Sequence, residues 1–174
     1  ETAIAQFERF INVDQVDVIL GTFSSLITFP ASSVTEQAQM VHPIPSAAAL
    51  RIYERGYEYL LYFQPNAAEF IGQTPIDMIQ NLVPEDELPT TAALVWADDF
   101  FANAITAGLL GEEVTIPGTD TVIDLSPGYL VDTGFEVVYT EQWPEQGFSD
   151  WLTLANSIKA ADAEFLLALV TSPD

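Results

Sequence analysis

Apolar residues recur along the chain in two spacings, one typical of amphipathic helices and one typical of short buried strands. The apolar runs that predict strands cover residues 16–20, 41–44, 57–63, 92–96, 135–140 and 165–170. Helical spacing and start signals predict helices over residues 2–11, 24–38, 67–81, 100–109 and 150–161, the last capped by Ser149. Strands separated by helices are typical of mainly parallel sheets covered on both faces, so we predict an α/β fold of the doubly wound kind.

A break in this pattern divides the chain into two predicted lobes. The sequence Gln-Pro-Asn at 64–66 interrupts the third predicted strand, so residues 1–64 are assigned to a first lobe and residues 65–174 to a second, both partial. The stretch 111–134 is rich in Gly, Pro and Thr and is longer than an ordinary connection. It is expected to be a peripheral insertion able to form a hairpin. Because the chain opens on a helix and stops after a strand, we expect further residues at both ends of the parent protein.

Charge excludes several functions. The chain has 26 Asp and Glu residues but only four Lys and Arg residues, a formal net charge of -22. Nucleic-acid binding requires a basic patch, which four scattered cations cannot form, and an anionic membrane surface is disfavoured for the same reason. A surface of this kind repels itself at low ionic strength, and salt screens the repulsion. The composition therefore indicates a folded protein adapted to high salt.

The inventory of chemical groups is poor in catalytic residues. There is no Cys, which excludes disulfides and Cys-ligated metals from this chain. His42, the only histidine, lies in a predicted strand without specified partners, so we assign it a structural role. Asp98 and Asp99 could bind a divalent cation, but adjacent carboxylates at a helix start are more often caps. We expect no cofactor and no enzymatic activity.

Small polar residues follow the predicted strands at their carboxyl ends, where open α/β sheets bind ligands. They occur in four places, at Ser24–Ser25, Ser46–Ala48, Asp98–Phe101 and Thr171–Ser172. Ser25 would present its hydroxyl and nearby N–H groups at a helix N-terminus, which is a suitable receptor for a carboxylate. A serine at that position is equally well explained as a helix cap.

Four segments of the chain resemble the type I periplasmic solute-binding proteins, specifically the branched-chain amino acid receptor group of ABC transporters. They are VDVILGTFSSLITFPASSVTEQAQ, PSAAALRIYERGYEYLLYFQP, TAALVWADDFFANAI and GFSDWLTLANSIKAADAEFLLAL. Their order and spacing are similar to the family over nearly the whole chain, apart from the insertion at 111–134. The resemblance implies two doubly wound lobes that close on a solute, incomplete in this chain.

The resemblance also implies which residues contact the solute. Ser25, with Ser24 beside it, corresponds to the serine that holds the solute's carboxylate, and Ser46, Ala47 and Ala48 lie in the loop that binds the carboxylate and ammonium groups. Phe101 and Thr171 fall where the opposing lobe of the family often has aromatic residues. Ala48 replaces a polar residue, Phe101 lacks the usual hydroxyl and Thr171 is not aromatic, so a leucine-like solute is not assured.

The implied function is an extracytoplasmic receptor that delivers a small amino acid-like solute to a membrane permease. A targeting segment is expected outside this chain, because no apolar run here is long enough to span a membrane and the first residues are unlike a signal peptide. Two alternatives stay open. One is a ligand-sensing regulator of the same fold, and the other is a doubly wound enzyme using Asp98 and Asp99.

Overall fold

Secondary structure in the computed structural model, which describes residues 2–170, is divided between two units. The first unit is Glu1–Ala68 with Thr115–Ile123, and the second is Glu69–Val114 with Asp124–Asp174. The helices are α1 (Thr2–Asn12), α2 (Ser25–Gln37), α3 (Leu50–Tyr53), α4 (Ala68–Ile71), α5 (Gln73–Leu82), α6 (Phe100–Leu110), α7 (Tyr129–Asp132) and α8 (Trp151–Ala160). The strands are β1 (His42–Ile44), β2 (Leu60–Tyr62), β3 (Thr91–Asp98), β4 (Glu113–Thr115), β5 (Val122–Asp124), β6 (Glu136–Pro144) and β7 (Phe165–Leu169). A short 3₁₀ helix covers Glu85–Glu87.

The first unit contains a parallel pair of short strands and the long helix α2. β1 and β2 pair in register from His42 with Leu60 to Ile44 with Tyr62. The buried residues of α2 recur at helical spacing and are Ser25, Thr28, Ala31, Ser32 and Thr35. This face is polar as well as apolar. The hydroxyl of Thr28 donates a hydrogen bond to the carbonyl oxygen of Ser24 at 2.9 Å. The helix continues through Pro30, which has no N–H to donate to the preceding turn.

The predicted strand at 16–20 is absent, and this expectation was wrong. No strand within residues 2–170 pairs with the segment, although Gly21 N donates to Pro43 O at 3.1 Å just after it. Ile19 is buried with Phe7 and Ala31, whereas Leu20 is 72% exposed. An apolar run specifies a strand only if a partner strand lies beside it, because its backbone groups need hydrogen bonds.

The second unit is built on a three-stranded parallel sheet in the order β6-β3-β7. The central strand β3 is nearly continuously buried, including Ala92, Ala93, Leu94 and Val95, as expected for a parallel strand covered on both faces. The register with β6 shifts between Ala92 and Ala93. The parallel arrangement agrees with the strand-helix alternation in the sequence.

Helix α6 follows β3 and is almost fully buried. It begins after Asp99, which is the N-cap residue, and ends at Gly111 in the left-handed conformation with φ 78°. A Cβ atom at Gly108 would lie 1.6 Å from the carbonyl oxygen of Glu69, so α4 and α6 approach closely and only glycine fits there. Further along the chain, the cap of α8 is Asp150, which accepts from Thr153 N at 3.3 Å, and Ser149 is not the cap.

The stretch 111–134 forms the hairpin-like sheet β4-β5 and helix α7. We expected it to be peripheral, but three of its apolar side chains are buried, although Val122 and Val131 are exposed. Val114 is 1% exposed, and Ile116 and Leu130 are 0% exposed. A Cβ atom at Gly111 would lie 2.4 Å from the backbone N of Gly128, so the two ends of the stretch pack closely. Excising the stretch would therefore remove buried core residues.

Candidate functional site

The N-terminus of α2 carries the first predicted ligand-binding residues, Ser24 and Ser25. Ser24 occupies the N-cap position with extended backbone, but its side chain makes no cap hydrogen bond. Ser25 is 2% exposed, and its Oγ atom has no hydrogen-bond partner among the described residues. Neither hydroxyl therefore acts as a helix cap, which was the alternative that the sequence had left open.

An unpaired buried hydroxyl is unusual. Leaving such a group unsatisfied costs about 1–3 kcal/mol, so native proteins rarely retain one without a reason. The N-terminus of the 13-residue helix α2 also places the positive end of its dipole at this turn. Together these features suit an anionic group with two or more acceptor oxygens, such as a carboxylate.

The loop after β1 carries Ser46, Ala47 and Ala48 and also lies in the first unit. The hydroxyl of Tyr53 donates to the carbonyl oxygen of Ala47 at 2.7 Å, and the carbonyl of Ala48 accepts from Ala68 N at 2.9 Å. Burial raises the pKa of Tyr53, which keeps this hydroxyl protonated as a donor. Ala47 adopts φ 62°, a left-handed conformation that is strained for alanine and sets the course of the loop.

The two loops of the first unit begin from adjacent backbone. The hydrogen bond from Gly21 N to Pro43 O joins the segment that leads to Ser25 with the strand that leads to Ser46. The side chains of Ala47 and Ala48 are buried, at 2% and 1% exposed, whereas Ser46 is half-buried. Ala47 and Ala48 thus expose almost no surface, backbone included.

The remaining predicted residues belong to the second unit. Phe101 is half-buried in the first turn of α6, and its N–H donates to Asp99 Oδ1 at 2.8 Å. Thr171 lies outside the described residues. The structure therefore describes six of the seven predicted residues, with one of the six in the second unit.

The carboxylates considered as a cation site have structural partners. Asp99 Oδ1 accepts from Phe101 N and Ala102 N, both at 2.8 Å, which is the cap geometry preferred from the sequence. Asp98 Oδ1 accepts from the side-chain amides of Asn103 at 3.0 Å and Gln142 at 3.2 Å. Within residues 2–170, no group of three or more His, Cys, Asp or Glu residues is arranged to hold a metal ion.

His42 is fully buried in the first unit, at 0% exposed. Its Nε2 atom contacts the carbonyl oxygen of Gly21, and its ring packs 5.3 Å from the ring of Phe7. Burial lowers the pKa of His42, and this outweighs the hydrogen bond to Gly21, which raises it. The geometry agrees with the structural role assigned from the sequence.

A cavity of about 340 Å³ in the second unit was not predicted from the sequence. It lies where β3, β6 and β7 end, and its lining includes Asp99, Trp143, Glu145, Phe148 and Trp151. The carboxyl ends of parallel strands are the edge at which ligands bind in open α/β sheets. The clustering of Trp, Phe and Trp in WPEQGFSDW around Gly147 was the available signal.

The comparisons with known proteins agree with this architecture. No protein-family model matches the chain. The Leu/Ile/Val-binding protein homolog 7 of Brucella suis is 26% identical over 169 residues, which are 95% of this chain and 38% of that protein. The corresponding protein of Brucella melitensis is 25% identical over the same shares. The chain thus spans well under half the length of the curated relatives it matches.

Solved structures give the same picture. An ABC transporter substrate-binding protein from Desulfitobacterium hafniense in complex with Leu superposes with a TM-score of 0.65, at 17% identity, over 95% of this chain and 42% of that one. A solute-binding protein of an ABC transporter from Rhodopseudomonas palustris in complex with benzoate gives a TM-score of 0.71, at 16% identity, over 98% and 41%. The fold is that of the type I solute-binding proteins.

The resemblance to the branched-chain amino acid receptor group is therefore confirmed, and so is the α/β fold class with parallel sheets. Since the chain matches about two fifths of each solute-binding protein, the fold is present only in part. None of the helices within residues 2–170 has the length and apolar character needed to cross a membrane.

Proposed function

We propose that this chain contributes to the solute-binding receptor of an ABC importer and holds the carboxylate of a small solute at the N-terminus of α2. The observation that carries the proposal is the buried Oγ atom of Ser25, which has no partner among the described residues. A solute carboxylate would supply acceptors for that hydroxyl and for the N–H groups of the first turn. Binding, without turnover, is sufficient for this role.

The neighbouring structures support this class of solute. One is in complex with Leu, one with benzoate and one with 4-hydroxybenzoate, and each of these molecules carries a carboxylate. Their side groups differ, so the shared anion is the feature that a common site would recognise. All three are transport proteins, which favours a receptor over a regulator of the same fold.

The remaining parts of the proposal follow from the receptor role. Residues 1–64 and 65–174 belong to two lobes that close on the solute, with Ser46, Ala47 and Ala48 contributing from the first lobe and Phe101 and Thr171 from the second. The receptor acts outside the cytoplasm and passes the solute to a membrane permease. No cofactor is required, because the site only binds and releases.

The test is calorimetric titration of the 174-residue chain and its Ser25→Ala variant with Leu, benzoate and 4-hydroxybenzoate. The variant loses one charge-assisted hydrogen bond, so the affinity for whichever solute binds should fall by about ten- to hundredfold, or about 1.5–3 kcal/mol. Its melting temperature should not fall, since the hydroxyl stabilises nothing in the described fold.

Ser33→Ala is the matched control on the same helix. The Ser33 hydroxyl bonds the Tyr57 hydroxyl at 2.9 Å, so this variant should melt at a lower temperature while binding the solute normally. If Ser25→Ala bound like wild type and melted lower, Ser25 would be a structural residue and the carboxylate site would be misplaced.

A further inference from the structure

The cavity in the second unit combines aromatic walls with negative charge. Trp143, Phe148 and Trp151 line it together with the carboxyl groups of Asp99 and Glu145. Among the described residues that line it, none is Lys, Arg or His. Its wall is thus rich in π-electron density and carries no positive side chain.

The three rings stand at an angle to one another and do not form a flat stack. The Trp151 ring is tilted by 70° to Trp143 and by 87° to Phe148, with centroids 5.6 and 4.6 Å away. Trp143 and Phe148 are closer to parallel, at 32° with centroids 6.3 Å apart. The Trp151 contacts are edge-to-face contacts between neighbouring rings, and all three residues line the cavity.

The three rings are held in place by the core of the second unit. Trp143 is 6% exposed and packs with Val95, Ala97 and Leu154, and Phe148 packs against the same cluster. Trp151 begins α8 and is 50% exposed, so this wall is accessible from solvent. Gly147, at φ 75°, makes the turn that places Phe148 beside Trp143.

We propose that this cavity is a subsite for an alkylated ammonium group, held by the rings of Trp143, Phe148 and Trp151 and by the charges of Glu145 and Asp99. Aromatic rings attract cations through the negative potential of their faces, and cages of several rings select quaternary ammonium groups. A bare primary ammonium needs several hydrogen-bond acceptors, but the rings provide none and Asp99 Oδ1 already accepts from two backbone N–H groups. An alkylated group has few or no N–H donors and fits the same walls without that cost.

An anionic occupant is disfavoured by the same lining. A carboxylate would approach two like charges and the negative faces of the rings, and each of these interactions is repulsive. The charge of Asp99 is partly offset by the two N–H groups it caps, so the exposed Glu145 supplies the larger attraction. The subsite extends the proposed receptor function and rests on it, because the ammonium group is taken to belong to the transported solute.

The test uses choline and its neutral isostere 3,3-dimethyl-1-butanol, which differ by one charge and little in shape. Each is titrated into the 174-residue chain at fixed salt, with tryptophan fluorescence and calorimetry as readouts. Choline should bind saturably and at least about tenfold more tightly than the isostere. Trp151→Ala should weaken choline binding about tenfold or more, Trp151→Phe should retain much of it, and Glu145→Gln should weaken it about threefold.

Trp96→Phe is the control, because Trp96 lies outside the lining and donates its indole N–H to Asn103 Oδ1 at 2.9 Å. It should bind choline like wild type. Equal affinity for choline and the isostere, normal choline binding by a folded Trp151→Ala variant, or absence of choline binding would each overturn the subsite. If Ser25→Ala still weakened the binding of carboxylate solutes in such a case, the proposed receptor function would stand without the ammonium subsite.

Discussion

The Nδ1 atom of His42 lies 3.0 Å from the Oγ1 atom of Thr35, and both side chains are buried in the first unit. On the other side of the ring, Nε2 contacts the carbonyl oxygen of Gly21, which can only accept a hydrogen bond. Nε2 therefore carries the proton in the neutral ring, and Nδ1 is the acceptor that faces the Thr35 hydroxyl, which also lies 3.1 Å from the carbonyl oxygen of Ser32. The histidine thus joins α2 to the loop that leads to Ser25.

This arrangement predicts a pH dependence of stability. Because burial lowers the pKa of His42, the unfolded chain takes up a proton first as the pH falls below the ordinary value near 6.5. The contribution of the neutral ring is fully present above that value and is lost as the pH falls toward the lowered pKa of the folded state. His42→Gln should remove this component of the pH dependence.

Thermal melts of the wild type and of His42→Gln between about pH 8 and about pH 5 measure the effect. The difference between their melting temperatures should shrink toward the acidic end, because only the wild type loses the histidine contribution. A difference that stayed constant across this range would show that His42 does not titrate with folding.

The Glu164 carboxylate is expected to make the stability depend on pH in a lower range than His42 does. The carboxylate accepts from Thr90 N at 2.7 Å and from the Thr90 hydroxyl at 3.0 Å, and the backbone hydrogen bond is the main reason that its pKa is lowered. Since the folded pKa is depressed, the stabilisation is present above the unfolded value and is lost as the pH falls through the folded one. Glu164→Gln should therefore destabilise the chain at neutral pH and have little effect in acid.

Urea unfolding at about pH 7 and about pH 3 separates these conditions. Glu112→Gln is the matched control, since the Glu112 side chain is exposed in a loop of the same unit. Equal destabilisation by Glu164→Gln at both pH values would mean that the substitution acts by disturbing the packing around residue 164. The carboxylate charge would then not contribute to stability.

Gly108→Ala tests the close approach of α4 and α6. The added methyl group would lie 1.6 Å from the carbonyl oxygen of Glu69, and backbone cannot rotate away as a side chain can. Overpacking of this kind costs about 1–3 kcal/mol, which outweighs the gain in helix propensity of up to about 1 kcal/mol. Urea unfolding should show the loss, whereas Thr106→Val on the same helix, which replaces a buried hydroxyl without a described partner by a methyl group of similar size, should be close to neutral.

Local sequence signals predicted the core of the second unit well. The strand before Asp99, the helix after it and the cap itself depend on residues that are adjacent in the chain. The run 16–20 has an equally apolar pattern but forms no strand, because strand pairing depends on residues that are distant in sequence. Local pattern therefore predicted elements and did not predict their partners.

The candidate sites show the same division. Ser25 was found because the start of a helix after an apolar run is a local signal, and the absence of a partner for its hydroxyl required coordinates. The aromatic cavity was missed because Trp143 ends a strand, Phe148 follows a turn and Trp151 begins a helix. No single periodicity relates these three positions, and the turn at Gly147 is what brings them together.

Salt dependence is the prediction that follows from the charge balance, and nothing in the fold removes it. Of the four cations, Arg9 pairs with Asp14 at 3.2 Å on an exposed surface, where such a pair contributes little. Arg55 lies between the rings of Phe29 and Tyr57, at 4.4 and 4.2 Å, and donates to hydroxyl and carbonyl oxygens. The net charge of -22 already counts all four cations, so neither interaction reduces it.

The melting temperature should therefore rise between about 0.1 M KCl and several molar KCl, as the screening length falls from about 10 Å to about 3 Å. Sucrose at matched osmolality is the control, because it strengthens burial by exclusion from the surface but does not screen charge. If KCl raises the melting temperature well beyond sucrose, self-repulsion limits stability at low salt. Equal melting temperatures at both KCl concentrations would show that the acidic surface does not destabilise the fold when screening is weak. The hypothesis that the protein is adapted to high salt would then be wrong.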